Sequence, residues 1–411
     1  LEYNLYRMKI TKIGGGVCAA RGFRAGATRA GIKRVHSEKD DLAIVISDSP
    51  CTAAGVFTKN LVKAAPVLFS KRSLRANATK RFMGVVLNSG NANACTGPQG
   101  LADAAETARM AAERFGGTAN SFLVCSTGRI GVPMPMDKVR AGLDQLPARV
   151  SRKGGKDAAV AIMTSDTFPK EAAVRVKTPA GTFRLGGMAK GAGMINPNMA
   201  TMLCVLTTDL EIPAPELRKA LARTVERTFN RITVDGDMST NDTVLALANG
   251  ASGVAFAPGT VAEALDQALE GICRELARMI VRDGEGTTKV IDLRIEGART
   301  PADARRAADA VANSLLFKCA LAGNDPNWGR ILDALGYSGA KFNPNRVSLF
   351  YGKDRLVING MPDPNANIES VKKTAALPEF SIRVHLGAGK AAHEVLMTDL
   401  TEEYVRLNLS E

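Results

Sequence analysis

Apolar and polar positions along the chain follow two periods, and together they predict strands mixed with helices. Residues 42–47 and 83–88 are apolar, β-branched runs that end in polar turns, the mark of strands. Residues 122–125 read as a short buried strand that runs into Ser126-Thr127-Gly128, and residues 202–206 as another. Residues 174–176 and 182–185 flank Pro179-Ala180-Gly181, a hairpin signal. Helical spacing predicts a helix over 101–114, stopped by Gly116-Gly117, and one over 216–229 entered through Pro215. Between 261 and 280, Val261, Leu265, Leu269, Ile272, Leu276 and Ile280 fall on one face of a long amphipathic helix. Residues 301–321 read as one further helix, and 347–351, 380–385 and 395–398 as closing strands. The expected fold is α+β, a layered α/β sandwich core with mixed sheets and a smaller β-rich portion after about residue 340.

Composition narrows the function classes. A chain of 411 residues can bury a sizeable core, and no stretch approaches the ~18 apolar residues of a membrane helix. Residues 1–13 are charged and lack the apolar core of a signal peptide; with no initiator Met, the sequence is read as trimmed. Seven scattered cysteines without a CxxC argue against a disulfide framework or a structural zinc, and suit a reducing cytoplasm. The histidines are three, His36, His385 and His393, and none adjoins a catalytic-looking loop. Enzymes that need a histidine base or a His-rich metal centre are therefore poor readings. The net charge of +13 fits anionic small substrates or nucleic acid. The basic residues are dispersed and not interleaved with aromatics, which argues against nucleic acid.

The most unusual segment is Gly186-Gly187-Met188-Ala189-Lys190-Gly191-Ala192-Gly193-Met194-Ile195-Asn196-Pro197-Asn198-Met199-Ala200-Thr201. It is not a Walker loop, because Ala189 precedes the lysine and Gly191 follows it. Composition alone leaves open a tight loop whose lysine faces water. A different chemistry uses the threonine. If the Thr201 hydroxyl attacks the Ala200 carbonyl and the bond is cut, Thr201 becomes a new N-terminus. A free α-amine titrates near ~7.7–8, low enough to act as base for its own hydroxyl. No histidine is needed, as the composition requires.

This segment resembles the processing site of the ornithine acetyltransferases, also called glutamate N-acetyltransferases. Further resemblance lies in Ala53-Ala54-Gly55-Val56-Phe57-Thr58-Lys59-Asn60, in Asn88-Ser89-Gly90-Asn91-Ala92-Asn93-Ala94-Cys95-Thr96-Gly97, and in Asp235-Gly236-Asp237-Met238-Ser239-Thr240-Asn241-Asp242. Asp283-Gly284-Glu285-Gly286-Thr287-Thr288-Lys289 and Asp325-Pro326-Asn327-Trp328-Gly329-Arg330 follow in the family's order. The resemblance implies self-cleavage between Ala200 and Thr201 into chains 1–200 and 201–411, assembled as two of each. It implies ping-pong transfer of acetyl from N-acetylornithine through Thr201 to glutamate, in arginine biosynthesis. It implies an oxyanion hole at Thr127 and Gly128, and substrate contacts from Lys190, Glu285 and Asn408. Thr164 is a further match, with Thr167 as the competing choice. Where the family continues to a terminal Thr or Ser that also touches substrate, this sequence ends Leu409-Ser410-Glu411. No cofactor is implied. Some relatives use acetyl-CoA as a second donor, and no residue here discriminates.

Two rivals remain. The same nucleophile could pass acetyl to water, making a self-processing amidase or aminopeptidase. The other rival is a basic nucleic-acid-binding protein. The first reading expects a cytoplasmic enzyme with small-molecule substrates, no membrane and no nucleic acid.

Overall fold

The computed structural model describes residues 8–33, 38–76, 82–196 and 202–409. The chain weaves two units from alternating segments. One takes Leu1–Gly191, Asn198–Asn230 and Met238–Ile280; the other takes Ala192–Pro197, Arg231–Asp237 and Val281–Glu411.

The first unit holds strands β1 (Lys9–Lys12), β2 (Phe23–Thr28), β3 (Leu42–Phe57), β4 (Phe82–Asn88), β5 (Phe122–Ser126), β6 (Lys170–Thr178), β7 (Gly181–Lys190) and β8 (Leu203–Thr208). Strand β9 (Ile232–Thr233) belongs to the second unit, and β10 (Thr243–Ala248) returns to the first. Among the described residues the first sheet runs β1-β6-β7-β8-β10-β3-β4-β5, with β2 also on β3. It is mixed: β8–β10 and β4–β5 are parallel and the other pairs antiparallel.

Strand β3 is longer than its apolar run. Leu42 to Ile46 pairs with β2 and β4, and beyond a register shift Thr52 to Phe57 pairs with β10. Asp48, Ser49 and Pro50 lie exposed at the irregularity, where a strand tolerates proline. The apolar run itself has no polar alternation because both faces are buried. Ile44, Val86 and Val124 pack with Ala108 and Leu143, from helices α2 (Gly97–Phe115) and α3 (Met136–Gln145), which follow α1 (Ala65–Ala76). On the other face Val45, Val85 and Leu123 pack with Ala158 of α4 (Gly155–Ala161). The unit is completed by α5 (Ala214–Arg227) and most of α6 (Thr260–Arg282), the long amphipathic helix that the spacing predicts.

The glycine-rich segment departs from the expected loop. Its first five residues are the end of β7, paired with β6 and β8. The reason is close packing. A Cβ on Gly186 would stand 1.8 Å from the carbonyl oxygen of Gly16, in the short turn laid over the strand. Strand β8 runs from Leu203 to Thr208, close to the 202–206 run that the sequence predicts.

The second unit builds β11 (Val290–Ala298), β12 (Ser348–Tyr351), β13 (Asp354–Ile358), β14 (Met361–Pro362), β15 (Glu379–His385) and β16 (Ala391–Thr398) into a sheet of order β14-β13-β12-β15-β11-β16-β9. Its core joins Ile291, Leu293 and Ile295 of β11 to Ala304, Ala308 and Val311 of α7 (Pro301–Ala312). The single helix expected over 301–321 is two, α7 and α8 (Leu315–Ala322). Asn313 breaks it: its side chain donates to the Asp309 carbonyl and accepts from Thr233 Oγ1. Ser314 then caps α8 by accepting from the Phe317 N–H. Helices α9 (Trp328–Tyr337), α10 (Ile368–Ala375) and α11 (Glu402–Asn408) follow. Among the described residues no helix is long and apolar enough to cross a membrane.

Candidate active site

Ala200 and Thr201 lie outside the described residues, as does His36. The residue after Thr201 is well fixed. Met202 donates its N–H to Asp242 Oδ1 at 3.1 Å, and its carbonyl accepts from the Thr243 N–H at 3.0 Å. The next residue, Leu203, pairs with Lys190 on β7 and Thr243 on β10. Met202 and Leu203 thus stand at the head of β8, in the middle of the first sheet.

Asp242 is fully buried, and its Oδ2 has no hydrogen-bond partner among the described residues. Burial pushes its carboxyl well above the usual carboxylate range, against the Met202 N–H bond and the Lys190 charge. Its neighbour Asn241 donates to the carbonyls of Ala92 and Ser126, at 2.7 and 2.8 Å. This ties the head of β10 to the end of β5, where Thr127 and Gly128 follow. Residues Asn241 and Asp242 stood in the sequence only as part of a matching segment. Their burial and partners have no signature in a single sequence.

The turn after β5 is tight. Gly128 has φ 133°, and a Cβ there would stand 2.3 Å from the backbone carbon of Gly90. The Thr127 N–H is already committed to the Asn88 carbonyl at 3.0 Å. Thr127 Oγ1 has no hydrogen-bond partner among the described residues, while the backbone of the turn is bridged to Asn91. Of the donors expected from this turn, the Thr127 hydroxyl is uncommitted and the Thr127 N–H is not.

Lys190 ends β7 with its side chain only 3% exposed. Its Nζ donates to Thr164 Oγ1 at 2.7 Å and stands 3.7 Å from Asp166. Asp166 also accepts from Lys170 Nζ and from the Gly191 N–H, each at 2.7 Å, and from the Thr164 N–H at 3.0 Å. Burial opposes its charge, but Lys190 and then Lys170 outweigh that cost and hold the carboxyl far below its usual range. Lys190 is thus no solvated loop lysine, as bare composition allowed. An ammonium has three donors, and this one has one committed hydrogen bond and one longer ion pair. Thr164 itself is exposed, as is Thr167.

The second unit groups Glu285 and Asn408. The loop after α6 places the Glu285 N–H on the Ala192 carbonyl at 3.0 Å. Asn408 Nδ2 donates to Glu285 Oε2 at 3.0 Å and to the Tyr404 carbonyl at 2.9 Å. Gly193 leaves the space this carboxylate uses, since a Cβ there would stand 2.7 Å from it. Asp235 accepts from the Met194 and Ile195 N–H groups at 2.6 and 2.8 Å, and holds the segment in place. Burial raises the Tyr404 hydroxyl pKa, with Asp235 and Glu285 adding to the effect.

A sequence-family comparison matches residues 24–410 to the ArgJ family. The chain belongs to the ArgJ family. Among its relatives, the arginine biosynthesis bifunctional protein ArgJ of Symbiobacterium thermophilum is 49% identical over 401 residues, covering 96% of this chain and 98% of that protein. The glutamate N-acetyltransferase of Methanocaldococcus jannaschii is 45% identical over 406 residues, covering 96% and 98%. Among solved structures, the ornithine acetyltransferase of Mycobacterium tuberculosis complexed with ornithine is 42% identical, with a TM-score of 0.41. It covers 46% of this chain and 98% of that one.

Proposed function

We propose that this protein is a glutamate N-acetyltransferase of arginine biosynthesis, working through an acetyl-Thr201 enzyme. Its own chain supplies the nucleophile. The Thr201 Oγ attacks the Ala200 carbonyl, the Ala200–Thr201 C–N bond breaks, and an ester forms. Water then releases the Ala200 carboxylate and leaves Thr201 with a free amine. That amine takes the hydroxyl proton in the transfer reaction. Acetyl passes from N-acetylornithine to Thr201 Oγ, ornithine leaves, and the glutamate amine attacks the ester.

The observation that carries this reading is the fixed head of β8. Met202 and Leu203, the residues that follow Thr201 in the sequence, are held by Asp242, Lys190 and Thr243. Through Asn241 the same framework reaches the turn of Thr127 and Gly128, where the Thr127 hydroxyl is uncommitted among the described residues. Donors aimed at the tetrahedral oxyanion would serve self-cleavage and transfer alike. The family resemblance assigns substrate contacts to Lys190, a cation suited to the α-carboxylate that both substrates carry, and separately to Glu285 and Asn408, polar groups suited to an ammonium. Acetyl-CoA is a candidate second donor. The working enzyme would be a cytoplasmic assembly of two copies of each cleaved chain.

The test is mass spectrometry of the purified protein. It should show two chains divided before Thr201, and a single acetyl adduct on the second after N-acetylornithine is added. Thr201→Ala should give one full-length chain and no adduct. An active, wholly uncleaved protein would sink the proposal. Release of acetate at the same rate with and without glutamate would assign the chain to the amidases instead. Thr127→Ala should lower kcat by about 10²–10³-fold with unfolding unchanged, the loss expected for one oxyanion donor.

A further inference from the structure

One face of the first sheet carries a basic cavity that the proposed reaction does not use. Its volume is about 550 Å³, and Lys9, Thr11, Arg21, Arg175, Lys177, Thr182 and Arg184 line it. The strand register explains its form. Lys9 on β1 faces Lys177 on β6, which faces Thr182 on β7; two residues along, Thr11 faces Arg175, which faces Arg184. Successive side chains alternate between faces, so these six share one face in a grid of two rows. Residues directly opposite have Cβ atoms about 4.5–5.5 Å apart.

Such a grid is costly when empty. Like charges directly opposite destabilise a sheet, and here both rows set them opposite, lysine to lysine and arginine to arginine. Among the described residues, Lys9, Arg175 and Lys177 form no ion pair. The nearby carboxylate is already in use. Asp209 accepts from the Arg184 N–H at 2.6 Å and the Arg21 N–H at 3.1 Å, and the Arg21 guanidinium stands 3.9 Å from it. Arg184 is half-buried at the cavity wall, and its Nη1 reaches the Ala19 carbonyl at 3.4 Å, which fixes the guanidinium beside the cavity.

We infer that this cavity is a binding site for a small oligophosphate, inorganic or carried on a nucleoside. Several close cations match several linked anionic groups, and the arginines can bind phosphate oxygens in bidentate fashion. The two threonines add hydroxyl donors. The volume suits a small molecule, within the ~300–1,000 Å³ usual for ligand pockets, and is too small for a folded nucleic acid. Arg184 lies six residues before Lys190 on β7, so an occupant would brace the strand that ends at the candidate active site.

Calorimetric titration of the whole protein with tripolyphosphate, ATP and sulfate tests this. Tripolyphosphate should bind saturably and at least tenfold more tightly than sulfate. Equal binding of ATP and tripolyphosphate assigns an inorganic chain or the phosphate part alone; tighter ATP assigns a nucleotide. Arg175→Gln and Lys177→Gln should each weaken binding about tenfold or more, while Lys219→Gln, at an exposed position on α5, leaves it unchanged. Without anion at low salt, Arg175→Gln should also raise the unfolding midpoint, because it removes a like-charge pair; this readout does not depend on ligand choice. Sulfate binding as tight as tripolyphosphate, equal weakening by Lys219→Gln, or a single-stranded oligonucleotide binding more tightly than either phosphate would overturn the inference.

Discussion

Lys190 and Glu285 look alike in the sequence, each a lone charge among glycines, yet their surroundings differ. Lys190 is buried in a network with Thr164, Asp166 and, through that carboxylate, Lys170. Glu285 is half-buried in a loop, with Asn408, an exposed residue, as its side-chain donor. The nearby glycines also differ in purpose. Gly186 lets a turn cross a strand, whereas Gly193 leaves room for a carboxylate. A charge built into the sheet is expected to affect folding as well as chemistry, and one held in a loop mainly chemistry.

Removing the central carboxylate gives the largest expected effect. Asp166→Asn leaves Lys170 and Lys190 as buried cations without their shared anion, at a cost of about 3–5 kcal/mol. Urea unfolding measures it; a change below about 1 kcal/mol would show that the network does not support the fold. The pH dependence has a definite sign. The folded pKa of Asp166 is depressed, so its contribution is complete above the unfolded value near ~3.9 and is lost as pH falls through the folded one. Wild-type stability should therefore decline in strong acid, and Asp166→Asn should flatten that decline.

Glu285→Gln should do the opposite: stability within about 0.5 kcal/mol of wild type, because the half-buried loop site keeps a side-chain oxygen for Asn408 and has no buried ion pair to lose. Its effect belongs in kcat/KM for N-acetylornithine, reduced by an amount equivalent to about 2–5 kcal/mol if an ammonium loses its partner. Glutamate acetylation, followed from the preformed acetyl-enzyme, should change less. Equal losses in both half-reactions would break the contrast between the two charges. The smallest effect is expected from Asn408→Ala. It removes one exposed hydrogen bond to Glu285, a change of about 1 kcal/mol, read as a modest rise in KM at unchanged kcat.

The long helix α6 and the β6–β7 hairpin were legible because each shows its period over enough residues. The full reach of β3 was not, because Asp48-Ser49-Pro50 interrupts its pattern while backbone pairing resumes at Cys51 and Thr52. Nor was the break at Asn313, which depends on a hydrogen bond from Thr233, 80 positions away. Among candidate site residues, the chemical types were evident from the motifs. Their states were not, since the Thr127 N–H is claimed by Asn88 and Lys190 by Thr164 and Asp166.

By itself the sequence determined the kinds of element, the scarcity of histidine, and the segment that ends in Ala200-Thr201, because these are properties of residue type and local order. The tertiary structure decided which charges are buried and paired, which turn donors stay free, and which cations share a face of the sheet. Those outcomes depend on contacts between residues far apart in the chain. Burial, and not residue type, sets the cost of leaving a polar group without a partner.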